Sequence, residues 1–169
     1  YIMGYLEGVR ENGGQYTHAA IWLAMGCIEL GMINEGFEIL EMLLPSTHDE
    51  SIYRIEPYVL AADVYSNNLH RGRGGWSWYT GSSAWYYRVV IEILLGIRIS
   101  GKGLYLSPKI PDHWDGFRAN VRFMDHKWNI EVSRGEQVGL IIDGEKASSA
   151  SGIIPCTAKD IKLILPRNK

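Results

Sequence analysis

The feature that most constrains this chain is a change of hydrophobic period near residue 100. Before it, apolar residues recur at helical spacing; after Gly103 they alternate with polar ones. Side chains repeat about every 3.6 residues on a helix and about every 2 on a strand, so one pattern cannot serve as the other. Tyr16 to Gly31 is apolar on most sides (Ala19, Ala20, Ile21, Trp22, Leu23, Met25, Ile28, Leu30), which suits an interior helix stopped by Gly31. Asn34 is placed to cap a second helix that runs to Leu44 and halts at Pro45, and the short turn makes the two antiparallel neighbours. Pro57 opens a third helix ending near Ser66, and a fourth runs from about Ser82 to Gly96. Downstream, Arg118–Phe123, Lys127–Ser133, Leu140–Ile142 and Ile161–Leu165 read as strands, and Asp143-Gly144 as a hairpin turn. The predicted class is therefore α+β: helices over 1–100, then an antiparallel β module over 101–169, with the passage near 98–103.

Composition narrows the function. The formal net charge is −2 over 169 residues, which leaves no electrostatic footprint for nucleic acid. No apolar run is long enough to span a bilayer, and no signal-peptide pattern opens the chain. Cys27 and Cys156 lie in segments of different type, so a reducing, cytoplasmic compartment is expected. The chain starts at Tyr1 without an initiator Met, and its apolar helices need further partners; a piece of a longer protein is expected.

Two segments combine residue types that bind oxygen-rich ligands. In Val9-Arg10-Glu11-Asn12-Gly13-Gly14-Gln15-Tyr16-Thr17-His18, Arg10 and Glu11 offer the donor fork and acceptor that fix sugar hydroxyls. His18 falls in the first helical turn, where an imidazole can donate to an anion. The plainer arrangement has Thr17 capping, Gly13-Gly14 bending the chain and His18 as a core histidine. In Arg73-Gly74-Gly75-Trp76-Ser77-Trp78-Tyr79-Thr80-Gly81-Ser82, Thr80 and Gly81 start a helix and can present a hydroxyl and backbone N–H groups to phosphate. The plainer arrangement there is an ordinary cap with its aromatics packed on the core. Glu56, before Pro57, is a candidate carboxylate or a cap. No metal-ligand spacing links the histidines and cysteines, so no metal is expected.

At these residues the chain resembles glycoside hydrolase family 94, the inverting β-glucoside phosphorylases. The resemblance rests on Glu11-Asn12-Gly13-Gly14-Gln15-Tyr16-Thr17-His18, Glu56-Pro57-Tyr58-Val59, the Gly74–Ser82 block and Ile93-Leu94-Leu95-Gly96. It implies the C-terminal part of an (α/α)6 barrel followed by a small, jelly-roll-like antiparallel β-sandwich. It implies that His18, Thr80 and Gly81 bind inorganic phosphate, and that Tyr5, Arg10 and Glu11 line the acceptor-sugar side. The aromatics of the Gly74–Ser82 block are then expected as scaffold rather than as a sugar platform, and the Gly- and Trp-rich form of that block resembles the chitobiose and β-1,2-glucan branches, with the β-1,2-glucan branch preferred. The family's general acid, an aspartate, lies upstream of these motifs, so no catalytic residue is expected here and the chain alone is expected to be inactive. Phosphate is a co-substrate and no cofactor is expected. The expected partners are a β-linked glucan, the missing N-terminal part and a second copy in a homodimer; the parent is a soluble phosphorylase or the cytoplasmic part of a membrane glucan synthase. Two readings of other classes stand beside it: a hydrolase using Glu56, and a carbohydrate-binding module without chemistry.

Overall fold

A computed structural model describes residues 4–78, 80–149 and 153–167, with Thr80 described by its backbone alone. The class is α+β: helices dominate the first part and strands the second. By contacts the chain divides into two compact units, 1–90 and 91–169.

The first unit opens with β1 (Gln15–Tyr16), which runs directly into α1 (Thr17–Glu29). α1 buries one stripe, Thr17, Ile21, Ala24 and Ile28. Trp22, Leu23 and Leu30, expected in an interior, lie exposed in this unit. Gly31 ends α1 at φ +88°: its N–H donates to Ile28 and that of Met32 to Cys27, so the last carbonyls are satisfied as a glycine stop predicts. α2 (Ile33–Met42) follows after that turn and packs on α1. Gly36 makes the approach possible, because a Cβ there would stand 2.8 Å from the Ala24 carbonyl oxygen. Asn34 does not cap α2. It is the second helical residue, and Met32 holds the cap position.

After a 3₁₀ turn at Pro45–Thr47 comes the short α3 (Glu50–Tyr53), capped by Asp49, whose carboxylate accepts the Ser51 N–H at 2.9 Å. The helix expected from Pro57 to Ser66 is absent. Val59 to Asp63 are buried in succession and lead into β2 (Asp63–Val64). A continuous buried run suits a covered strand as well as a helix, and here the backbone is claimed from outside: Thr17 N–H donates to Ala62 O at 2.9 Å, and Ala62 N–H donates to Gly75 O at 2.9 Å. β3 (Gly74–Gly75) completes a three-stranded antiparallel sheet in the order β1-β2-β3. α4 (Thr80–Arg88) follows and continues as a π-helical stretch, Val89–Leu94.

In the second unit, β4 (Ile97–Ser100) and β5 (Gly103–Leu106) form a hairpin. β6 (Gly116–Phe123), β7 (His126–Gly135), β8 (Gly139–Ile142), β9 (Glu145–Lys146) and β10 (Asp160–Pro166) form one sheet in the order β6-β7-β10-β8-β9. The module is not wholly antiparallel as expected. β10 pairs antiparallel with β8 but parallel with β7, along which Ile161 faces Ile130. β7 and β8 leave a gap between them, and the last strand fills it. Alternating residues of β7 (Trp128, Ile130, Val132) and β10 (Ile161, Leu163) meet Leu140, Leu104 and Ile154 in a single core.

Candidate functional site

The small sheet β1-β2-β3 places three distant sequence blocks side by side: Glu11–His18, Glu56–Val64 and Arg73–Ser82. Two groups of side chains hang from it.

The first group surrounds Arg10. The loop before β1 is a tight turn, closed by Gly8 N–H to Asn12 O at 2.7 Å and Gly14 N–H to Arg10 O at 2.9 Å. Arg10 sits in it at φ +52°, left-handed and 8% exposed. Its guanidinium carbon lies 4.8 Å from the centre of the Trp76 ring and 5.6 Å from that of Tyr16, both within cation–π range. Its Nε is 4.0 Å from Glu11 Oε2. Burial opposes the Arg10 charge, but Tyr16, Asp63, Glu11 and Tyr5 outweigh it and hold its pKa above the ordinary value. Tyr5 is half-buried, and its carbonyl accepts the Asn12 side-chain amide at 2.9 Å. The structure thus brings Tyr5, Arg10 and Glu11 together.

It also brings in a residue that sequence reasoning missed. Asp63, fully buried, accepts the Arg10 backbone N–H on Oδ2 at 2.7 Å, while Oδ1 has no hydrogen-bond partner among the described residues. Burial pushes its pKa up, against the lowering pull of the Arg10 N–H and charge. The available signal was an aspartate inside the apolar run Val59-Leu60-Ala61-Ala62-Asp63-Val64. Reading that run as a helix gave the carboxylate no reason to be buried.

The second group surrounds His18, the second residue of α1. Its ring meets Trp22 edge-on at 4.8 Å and Trp85 of α4 at 6.0 Å, so the N-terminal turn of α1 stands beside the middle of α4. His18 Nε2, Thr17 Oγ1 and Ser82 Oγ are buried without partners among the described residues. All three belong to the first turns of the two helices, where free N–H groups favour anions. Thr17 does not cap α1: Tyr16 occupies that position with an extended backbone, and Thr17 is already helical. The Thr80 side chain lies outside the described residues. Gly81 is exposed, and among the described residues nothing stands within 4 Å of where its Cβ would be.

Of the aromatics of the Gly74–Ser82 block, Tyr79 lies outside the described residues, and Trp76 and Trp78 are not buried in the core of this unit. Trp76 is 65% and Trp78 60% exposed, and both adopt positive φ, which is rare for large side chains. Trp78 Nε1–H donates to Glu56 Oε1 at 3.3 Å, and its ring meets exposed Tyr58 edge-on. The backbone N–H of Glu56 itself, then Ser77 and Trp78, hold the Glu56 carboxyl below its ordinary range. A carboxylate held charged in this way is poorly placed to deliver a proton at neutral pH. No group of three or more His, Cys, Asp or Glu side chains able to hold a metal ion occurs among the described residues.

The catalytic domain of the glycosyl hydrolase 94 superfamily matches residues 1–96. The chain belongs to that superfamily. The C-terminal domain of glycosyl hydrolase family 65 matches residues 97–146. Over 144 residues, 82% of the chain, it is 45% identical to the cyclic beta-(1,2)-glucan synthase NdvB of Rhizobium meliloti, of which it covers 5%. It is 29% identical over 85% of its length to cellobionic acid phosphorylase of Neurospora crassa, covering 19% of that protein. It is 26% identical over 82% of its length to N,N'-diacetylchitobiose phosphorylase of Vibrio proteolyticus, covering 18%. This glycosyl hydrolase 94 chain therefore spans a fifth or less of these curated relatives.

Proposed function

We propose that this chain is part of an inverting phosphorylase acting on a β-linked glucan, to which it contributes phosphate- and sugar-binding groups. The observation that carries the reading is the His18 imidazole: a buried nitrogen without a partner among the described residues, in the first turn of α1, with the Thr17 hydroxyl in the same turn and the Ser82 hydroxyl in the first turn of α4 likewise buried and without partners there. Buried polar atoms in a native fold call for a partner, and an oxyanion fits donors gathered at two helix starts. In this reading His18 donates from Nε2, and the first turn of α4, at Thr80 and Gly81, supplies further donors. Tyr5, Arg10 and Glu11 hold sugar hydroxyls on the other side of β1.

The chemistry divides accordingly. A phosphate oxygen attacks the anomeric carbon from the face opposite the glycosidic oxygen, the old C–O bond breaks, and the configuration inverts to an α-sugar 1-phosphate. The leaving oxygen takes a proton from an aspartic acid outside this chain. Phosphate arrives as an anion and needs no general base. The helical unit is then the closing part of an (α/α)6 barrel, whose remaining helices cover Trp22, Leu23 and Leu30, and the β unit a sandwich domain. No cofactor takes part. The sugar is a β-1,2-linked glucan, the compartment is cytoplasmic, and the parent, a homodimer, is a phosphorylase or the cytoplasmic part of a glucan synthase.

The test is turnover by the full-length protein with and without inorganic phosphate. Cleavage that requires phosphate and yields an α-sugar 1-phosphate is expected. Cleavage to free sugars at the same rate without phosphate would establish a hydrolase instead. Glucan binding without turnover, unchanged in His18→Ala, would leave only a binding module.

A further inference from the structure

We infer that Asp63 is the positioning residue for the sugar-binding side of the site, acting through Arg10. The inference rests on the carbohydrate half of the function proposed above.

Arg10 reaches its neighbours only because its backbone is held in an unusual state. A left-handed conformation is disfavoured for a residue with a side chain, and persists where surrounding contacts enforce it. Here both ends of the residue are pinned. Its carbonyl accepts the Gly14 N–H at 2.9 Å, and its N–H donates to Asp63 Oδ2 at 2.7 Å. The second bond crosses 53 positions of sequence and is charge-assisted. With the main chain fixed, the guanidinium is aimed over Trp76 and beside Glu11.

The surroundings are shaped to the carboxylate. A Cβ on Gly75 would stand 2.5 Å from Asp63 Oδ1 and 2.8 Å from the Tyr65 hydroxyl. A Cβ on Gly14 would stand 3.1 Å from Asp63 Oδ2. Glycine is therefore required at Gly75 by the carboxylate itself, and at Gly14 first by the Arg10 backbone, whose N and O would stand 2.9 Å from a Cβ, and then by the carboxylate. The next residue back, Ala62, gives its N–H to Gly75 O and receives the Thr17 N–H, so the strand that carries Asp63 also sets the start of α1. Asp63 has no exposed surface and cannot itself meet a sugar. Its effect on a ligand passes through Arg10.

The test is a double-variant cycle in the full-length protein, read as calorimetric affinity for a β-1,2-gluco-oligosaccharide without turnover. Asp63→Asn is expected to weaken binding by about tenfold alone, and by less than about twofold when Arg10 is already alanine. Unchanged affinity in Asp63→Asn, or an equal loss with and without Arg10, overturns the inference. Should Asp63→Asn fail to fold, Arg10→Gly is added, because glycine takes the left-handed state unaided. That double variant is expected to fold and to bind the oligosaccharide poorly; one as unstable as the single variant overturns the coupling. Phosphate-independent turnover would remove the phosphorylase reading and leave this cycle intact.

Discussion

In the β unit, strand register disposes of the backbone: β6 and β7 pair over eight positions, and β10 pairs on both sides. Among its described residues, those with positive φ other than glycine are Met124 and Asp143, both in turns between strands. Around the sheet β1-β2-β3 the pattern is different. Arg10, Trp76 and Trp78 take left-handed backbones outside simple hairpins, and Thr17, His18, Asp63 and Ser82 bury polar atoms without partners among the described residues. Among the described residues, the first region leaves no buried side-chain nitrogen or oxygen without a partner. The other holds strain and open donors in place with long-range hydrogen bonds, which is where a ligand finds partners. If the contrast is sound, substitutions in the first region should change stability and those in the second should change binding.

The largest effect is expected where the two demands meet, at Gly75. Alanine there forces its Cβ against Asp63 Oδ1 and the Tyr65 ring, and the partners are a buried carboxylate and a packed aromatic rather than a mobile chain end. Gly75→Ala should cost more than about 4 kcal/mol or prevent folding. Thermal unfolding checks it, and a Gly75→Ala protein with native stability would show that the block is loosely packed. Trp128→Ala should come next. Trp128 is 1% exposed in the β core, and its Nε1–H reaches Pro155 O at 3.4 Å. Its loss should cost about 3–5 kcal/mol through the cavity left behind. In protein that remains folded, the KM for phosphate should not move.

The contrast also explains what was legible in the sequence. The alternation in Arg118–Phe123 and Lys127–Ser133 announced β6 and β7, because a local period of two survives whatever the strand pairs with. The place of β10 between β7 and β8 was invisible, since pairing order is not a local property. α1 and its glycine stop were legible, and the resemblance carried by the Glu11–His18 and Gly74–Ser82 blocks gave the family. The segment after Pro57 was misread, because its apolar run suits a buried strand as well as a helix and hydrogen bonds from Thr17 and Gly75 decide between them. Asp63 was lost with it. The apolar run Val89–Leu94 reads as α-helix as readily as π-helix, so the π-helical stretch there gave no sign.

His18→Ala tests the binding side of the contrast. The Nε2 has no protein partner to lose among the described residues, so stability should change little. If the imidazole donates to phosphate, a hydrogen bond to a charged group is removed, worth about 1.5–3 kcal/mol, or roughly a ten- to hundredfold rise in the KM for phosphate. A clear fall in melting temperature with an unchanged KM for phosphate would make His18 a packing residue and remove the main support for an anion site.

The smallest expected effect is a slope. Asp63 has its pKa raised by burial, so the folded protein holds that proton more tightly than the unfolded chain does. Below the ordinary carboxylate value the group is protonated in both states. Between that value and the raised one, the folded state binds more protons, and stability must fall as pH rises. Above the raised value the loss is complete and constant. Asp63→Asn has no proton to release there, so its stability relative to the parent should grow as pH climbs through that window and then level off. Melting temperatures of both proteins across mildly acidic pH give the difference directly, with other titrating groups common to both. A flat difference would mean that the Arg10 N–H and charge cancel the effect of burial. The carboxylate would then be as well satisfied as any group of the β unit, and the contrast between the two regions would rest on His18, Thr17 and Ser82 alone.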